Sequence, residues 1–392
     1  MLEDKTLSQK RGIIYILGFL FTLSHAIPTY INSSFLASFL PEGLVGIVYT
    51  ASSIVALAAF IEMPRFLRRF GNLKLALLLL SLCLLSLIGL VSGLGVMIAI
   101  SAFILNFVAI ALINFCVDIF LESFSPDSKT GSIRGAYLSM GAVAWLVSPV
   151  LASFILQEIH FSYVYMASAL MLLPVISLML FQLRDFKDPQ YSRTPFWKSI
   201  VDISGDKDIK SILFAQVLLQ FFYAWMVIYA PLYLHQYVGF EWDTIGFILS
   251  FMLIPFLFES WWGKLADAHG EKKLLSLGFI IMGVATIATA FVTNGNPFVW
   301  AGILFVTRIG ASIAETMIEA YFFKKVDASK SHLIGFSRMA RPFAYVLGPV
   351  VATLLFTVAD MKTLFIVLGF VMLYGLRYSL AIRDTPPSRL SA

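Results

Sequence analysis

Arg308 stands inside an apolar run that begins near Pro297, about 16 Å along a helix rising about 1.5 Å per residue. A guanidinium keeps its proton in proteins. At that depth it needs an anion, water or both. It therefore either binds an anionic solute or gates a proton site, or it is paired permanently with a carboxylate on another helix. Glu315 follows seven residues later on the same helical face, a carboxyl suited to carrying a proton. Asp118 is the second candidate for that role. Asp118 and Glu122 close one apolar run, and Glu315 and Glu319 lie on another. With Arg134, Arg338 and Arg341 as cations, Glu122, Glu319 and Asp118 form the charges of an ion-pair network, structural or gating.

Two stripes of polar residues recur at helical spacing. Thr22, His25, Thr29 and Asn32 make the first, and Gln216, Gln220 and Tyr223 the second. Each stripe could hydrogen-bond and stack a small organic molecule in a wet pocket. For His25 the competing reading is a hydrogen-bonded contact between helices. The remaining histidines fall at helix ends or in loops, so no metal site is expected. Cys83 and Cys116 both lie in apolar runs, which gives neither a disulfide framework nor a metal cluster. No cofactor is expected, and no nucleophile–base pair suggests an enzyme.

These residues must be positioned by membrane helices. The chain is 59% hydrophobic and 13% charged, with a mean hydropathy of +0.87, whereas soluble domains carry roughly 25% charge. Its 392 residues accommodate about twelve spans of about 20 residues. Helices are expected near 13–38, 43–61, 73–93, 96–121, 134–157, 161–182, 211–236, 243–262, 274–292, 297–323, 334–358 and 362–382. The net charge of +5 is scattered over short loops, so nucleic acid is not an expected partner. Basic residues fill alternate loops, among them Arg65, Arg68, Arg69, Lys207, Lys210, Lys324 and Lys325, and the opposite set holds only Lys362. The positive-inside rule then places both termini in the cytoplasm of a cell whose cytoplasmic (inner) membrane holds the chain. No cleavable leader is expected at the amino end.

The charged stretch Gly263-Lys264-Leu265-Ala266-Asp267-Ala268-His269-Gly270-Glu271-Lys272-Lys273 reads as a short loop between the runs 243–262 and 274–292. Gly263 and Gly270 allow a tight reversal, Asp267 suits a helix N-terminus, and Lys272 and Lys273 suit an anionic membrane surface. The polar stretch 184–210 separates residues 1–183 from 211–392. The two halves repeat: Gly135 and Gly335, like Ala144 and Ala344, stand 200 residues apart, and Gly71 and Gly270 stand 199 apart. Phe196-Trp197 beside Lys198 suggests an amphipathic segment in the connecting stretch.

The charged stretch, the helix number, the mid-chain linker and the parallel repeat together resemble the major facilitator superfamily of transporters. That resemblance implies an all-α membrane protein of twelve transmembrane helices in two pseudo-symmetric six-helix bundles. It implies alternating access for a small-molecule substrate, with protons as the coupling ion and the monomer as the working state. It also assigns Asp267 the role of a latch, capping the fifth helix near Arg134. In the first half Pro64 and Arg68 replace the Gly and Asp of the pattern, which leaves that role without a counterpart there. Ser148-Pro149 and Gly348-Pro349 lie inside predicted helices and give a slight lean toward export of amphipathic compounds. Uptake of a sugar or organic anion is the alternative, and a non-transporting sensor on the same scaffold is the second.

Overall fold

Apolar runs of this length have one stable form in lipid, because a helix satisfies its own backbone groups. A computed structural model describes residues 2–29, 31–40, 42–125, 130–156, 161–191, 196–326 and 329–384. Among them every long element is a helix. The first half comprises α1 (Leu2–Thr29), the short α2 (Asn32–Ala37), α3 (Glu42–Phe70), α4 (Asn72–Val91), α5 (Val96–Ser123), α6 (Thr130–Leu156) and α7 (Phe161–Gln182). The connecting α8 (Phe196–Gly205) follows; the side chains of Phe196 and Trp197 lie outside the described residues, as does that of Pro149 in α6.

The second half comprises α9 (Lys207–Tyr233), α10 (Trp242–Met252), α11 (Glu259–His269), α12 (Lys272–Thr289), α13 (Pro297–Lys325), α14 (Ser331–Arg338), α15 (Ala340–Phe356), α16 (Met361–Tyr374) and α17 (Leu376–Ser379). Eleven helical segments among the described residues are long and apolar enough to cross a membrane. The 27 residues of α6 supply the length for a twelfth. Side chains such as Leu78, Leu85, Met97, Phe181 and Phe370 stand exposed on these helices, as lipid-facing positions must.

Three expected boundaries are corrected. The stretch 263–269 is helical and belongs to α11, so the reversal is confined to Gly270, at φ +81°, and Glu271. The expected helix 243–262 is instead broken inside by a 3-10 segment, Ile254–Phe258, that carries Pro255. Proline removes a backbone donor and clashes with the preceding turn, which ends α10 there. The expected helix 334–358 is divided at Met339 into α14 and α15.

Several helix starts are closed by aspartates distant in sequence. Asp188 accepts the amide of Asn72 at 2.7 Å, and Asp384 accepts that of Lys272 at 2.8 Å. Both follow a glycine in the left-handed region, Gly71 at φ +75° and Gly270 at φ +81°. A Cβ on either glycine would run into the aspartate carboxylate. Each carboxylate complements the positive end of a helix dipole. The joint that starts the third long helix is therefore built the same way in each half. Tyr191 adds a hydrogen bond to Asp188 at 2.5 Å, and burial beside that carboxylate pushes its phenol well above its ordinary range.

Packing divides the chain into two compact units. Unit 1 holds residues 1–125, 143–199 and 326–342; unit 2 holds 126–142, 200–325 and 343–392. The opening turns of α6 thus belong with the second half, and α14 with the first.

Candidate functional site

Unit 2 gathers the ionisable groups of α9, α11 and α13. Arg308 is 2% exposed, with its guanidinium 5.0 Å from the ring of Phe222 and 5.8 Å from that of Tyr223. The Tyr223 hydroxyl donates to Glu315 Oε2 at 2.5 Å. One tyrosine thus bridges the arginine and the carboxylate that share a face of α13. Aromatic faces attract a cation without neutralising it. Gln216 and Gln220 lie on α9 within two turns of Tyr223, both buried, and Gln216 Oε1 accepts no hydrogen bond from the described residues. Trp225, on the same helix, donates instead to Gly348 O at 2.8 Å.

Glu259 joins this group, and sequence reading overlooked it. It is 2% exposed, its Oε1 is buried and accepts no hydrogen bond from the described residues, and the charges of Glu315 and Glu319 bear on it. The signal was available: a carboxylate inside the candidate span Thr244–His269, the same criterion that drew attention to Glu315.

The second cluster of unit 2 joins α6 to α11. Asp267 accepts the amide of Gly131 at 3.1 Å and that of Ser132 at 2.8 Å, through its two carboxylate oxygens. Those first-turn amides have no partner within their own helix. Lys324 stands 3.0 Å from Asp267 and 2.7 Å from the fully buried Glu271. Lys324 and Glu271 were read only as loop charges. Gly131, Gly135 and Gly263 let the two backbones touch. A Cβ on Gly131 would stand 2.7 Å from Gly263 O, and one on Gly135 would overlap the carbonyl of Glu259. Small residues are what close helix crossings in membranes use. Gly263 therefore serves a crossing and not a turn, a correction to its expected role. Arg134 is buried to 1% exposure beside them, its guanidinium 3.3 Å from the ring centre of Phe323. Lys272 lends its amide to Asp384, and Lys273 is exposed.

In unit 1, Arg338 grips Asp118 with two bonds, Nε to Oδ2 at 2.5 Å and Nη2 to Oδ1 at 2.9 Å. This bidentate geometry is the strong form of the pair. Glu122 is buried one turn beyond Asp118, and Arg341 is exposed. His25 hydrogen-bonds the carbonyl of Phe21 at 2.8 Å and meets Trp145 edge-on at 5.7 Å. Thr29 bonds the carbonyl of His25, and Asn32 accepts from Tyr165 at 2.9 Å. His25 and Thr29 thus bond carbonyls of their own helix and Asn32 bonds α7, all within unit 1, while the Gln216–Tyr223 stripe lies in unit 2. Among the described residues no cluster of three or more His, Cys, Asp or Glu could hold a metal ion.

A family model described as Major Facilitator Superfamily matches residues 14–257 and 212–391. Among curated proteins, a probable sulfoacetate transporter of Cupriavidus necator is 29% identical over 168 residues, which is 42% of this chain and 38% of that protein. The chain thus matches well under half the length of that relative. Among solved structures, the fucose:proton symporter FucP of E. coli superimposes with a TM-score of 0.78 at 14% identity, covering 97% of this chain and 100% of the other. The human organic anion transporter MFSD10 superimposes with a TM-score of 0.76 at 11% identity, covering 96% and 99%.

Proposed function

The chain belongs to the Major Facilitator Superfamily, and we propose that it carries a small organic anion together with protons by alternating access. Membership makes it a multi-pass membrane protein and a secondary transporter, not an enzyme. The anion is the finer reading, and one observation carries it: a guanidinium at 2% exposure, inside a span, faced by aromatic rings and tied through Tyr223 to Glu315. A carboxylate or sulfonate would receive its charge in a bidentate contact. Two relatives' names agree with that chemistry, the probable sulfoacetate transporter and the organic anion transporter.

Proton coupling is supported by Glu315, whose hydrogen-bond partner Tyr223 also faces Arg308 and would pass on the arrival of an anion there. The name of the fucose:proton symporter is consistent with it. In this reading Asp267 with Gly131 and Ser132 is a latch, and Arg338 with Asp118 is its partner in the other unit. The reading takes the monomer as the working state in the cytoplasmic membrane, and the loop charges support both termini in the cytoplasm.

Proteoliposome uptake of radiolabelled sulfoacetate and simple dicarboxylates, with and without an imposed pH gradient, tests the proposal. Arg308→Lys keeps the charge but loses the planar fork. It is expected to raise the KM for anions roughly tenfold, about 1.4 kcal/mol, at an unchanged melting temperature. A lowered melting temperature with unchanged KM would make Arg308 structural and defeat the anion reading.

A further inference from the structure

Glu259 is the first residue of α11, where the 3-10 segment ends. Its carbonyl oxygen lies against Gly135 of α6, and the next amide, of Ser260, donates to Ser139 Oγ of α6 at 2.9 Å. Four and eight residues on, Gly263 and Asp267 continue the same contact, so one face of α11 follows α6 over about 12 Å. One end of that face holds an ionised aspartate capping α6. The other holds a buried acid whose Oε1 finds no donor.

Fold alone does not require an acid there. The repeat places Phe60 at the equivalent position, 199 residues earlier, buried at 2% exposure and also lying near a glycine, Gly335. The groups bearing on Glu259 from the elements around it are Glu315 and Glu319 of α13 and Tyr223 of α9. Two of the three are carboxylic acids and the third a neutral phenol, and α6 presents Gly135 and Ser139 there.

We propose that Glu259 is a proton switch for the α6–α11 joint: protonated, it lets α11 lie on α6, and on losing its proton to water it loosens that contact. The ionised carboxylate is repelled by Glu315 and Glu319 and has a donor within one turn, the Trp262 indole, whose Nε1 is also buried without a partner. Turning toward that donor or toward water moves the first turn of α11, and Gly135 has no room to absorb the movement. The inference uses the proton-coupled reading above for its role in transport, but its test does not depend on a substrate.

Hydrogen exchange of the peptide covering 130–139 reports the joint directly, because Asp267 protects the amides of Gly131 and Ser132. In the full chain, protection corrected for intrinsic exchange is expected to fall about tenfold as the buffer is taken from acid to alkaline pH. Glu259→Gln, which mimics the neutral acid, is expected to stay protected throughout, and Glu315→Gln, which removes a repelling charge, to keep the fall but move it to lower pH. A Glu259→Gln protein with the wild-type fall, or loss of the fall in Glu315→Gln alone, would overturn the switch. If no anion is transported while the Glu259-dependent fall is present, the substrate reading fails and the switch stands.

Discussion

The two halves make the same helix crossing with different chemistry. In unit 2, α6 meets α11 backbone to backbone, Gly131 on Gly263 and Gly135 on Glu259, and Asp267 caps the start of α6. In unit 1 the counterparts are α14 and α3, and the contact is open. A Cβ on Gly335 would find a Phe115 ring carbon at 3.5 Å and Phe60 O at 3.9 Å, ordinary van der Waals distances. The position of Asp267 is taken by Arg68, on an exposed turn. The charged tie passes instead from Arg338 of α14 to Asp118 of α5. Backbone contact leaves no slack, whereas a long side chain can keep its bond while its helix shifts. One joint is stiff and one compliant, although a single repeat underlies both.

The comparison can be broken at its ion pair first. Arg338→Gln leaves Asp118, 4% exposed, buried without its cation, a loss of about 3 kcal/mol or more. Thermal unfolding of the purified protein reads this, and adding Asp118→Asn should restore much of it, as a double-mutant cycle would show. A negligible drop for Arg338→Gln would mean that unit 1 is not held by this pair. The glycines sharpen the contrast. Gly263→Ala forces a methyl into the carbonyl of Gly131 and should cost about 1–3 kcal/mol, as overpacking does. Gly335→Ala should stay within about 0.5 kcal/mol. Equal losses from the two alanines would erase the stiff–compliant distinction. The cap should matter less than the Gly263 contact. Asp267→Asn keeps one accepting oxygen but loses the charge facing Lys324, for about 0.5–1 kcal/mol, the lower part of the usual range for a lost cap. Exchange at Gly131 and Ser132 should rise with it; unchanged exchange would remove Asp267 from the joint.

Much of this molecule is readable along the chain. Apolar runs of spanning length, the reversal signalled at Gly270, and the repeat of glycines at offsets of 199 and 200 determined an all-helical membrane protein of the superfamily. Each of those signals is local, or is a comparison of local signals. Arg308 and Glu315 stood out for the same reason, as charges inside apolar runs. Their bridge through Tyr223 did not, because α9 and α13 are neighbours only after folding. Nor did the role of Gly263, whose missing Cβ matters through Gly131, more than a hundred residues away in sequence. Asp188 and Asp384 had no visible task until the starts of α4 and α12 came within hydrogen-bond reach. The packing of 126–142 with unit 2 and of 326–342 with unit 1 also runs against chain order. Hydropathy is set residue by residue, so the sequence declares which segments enter the bilayer. Which backbones fit closely enough to touch depends on side-chain volume at both partners, and that was decided only when the helices packed.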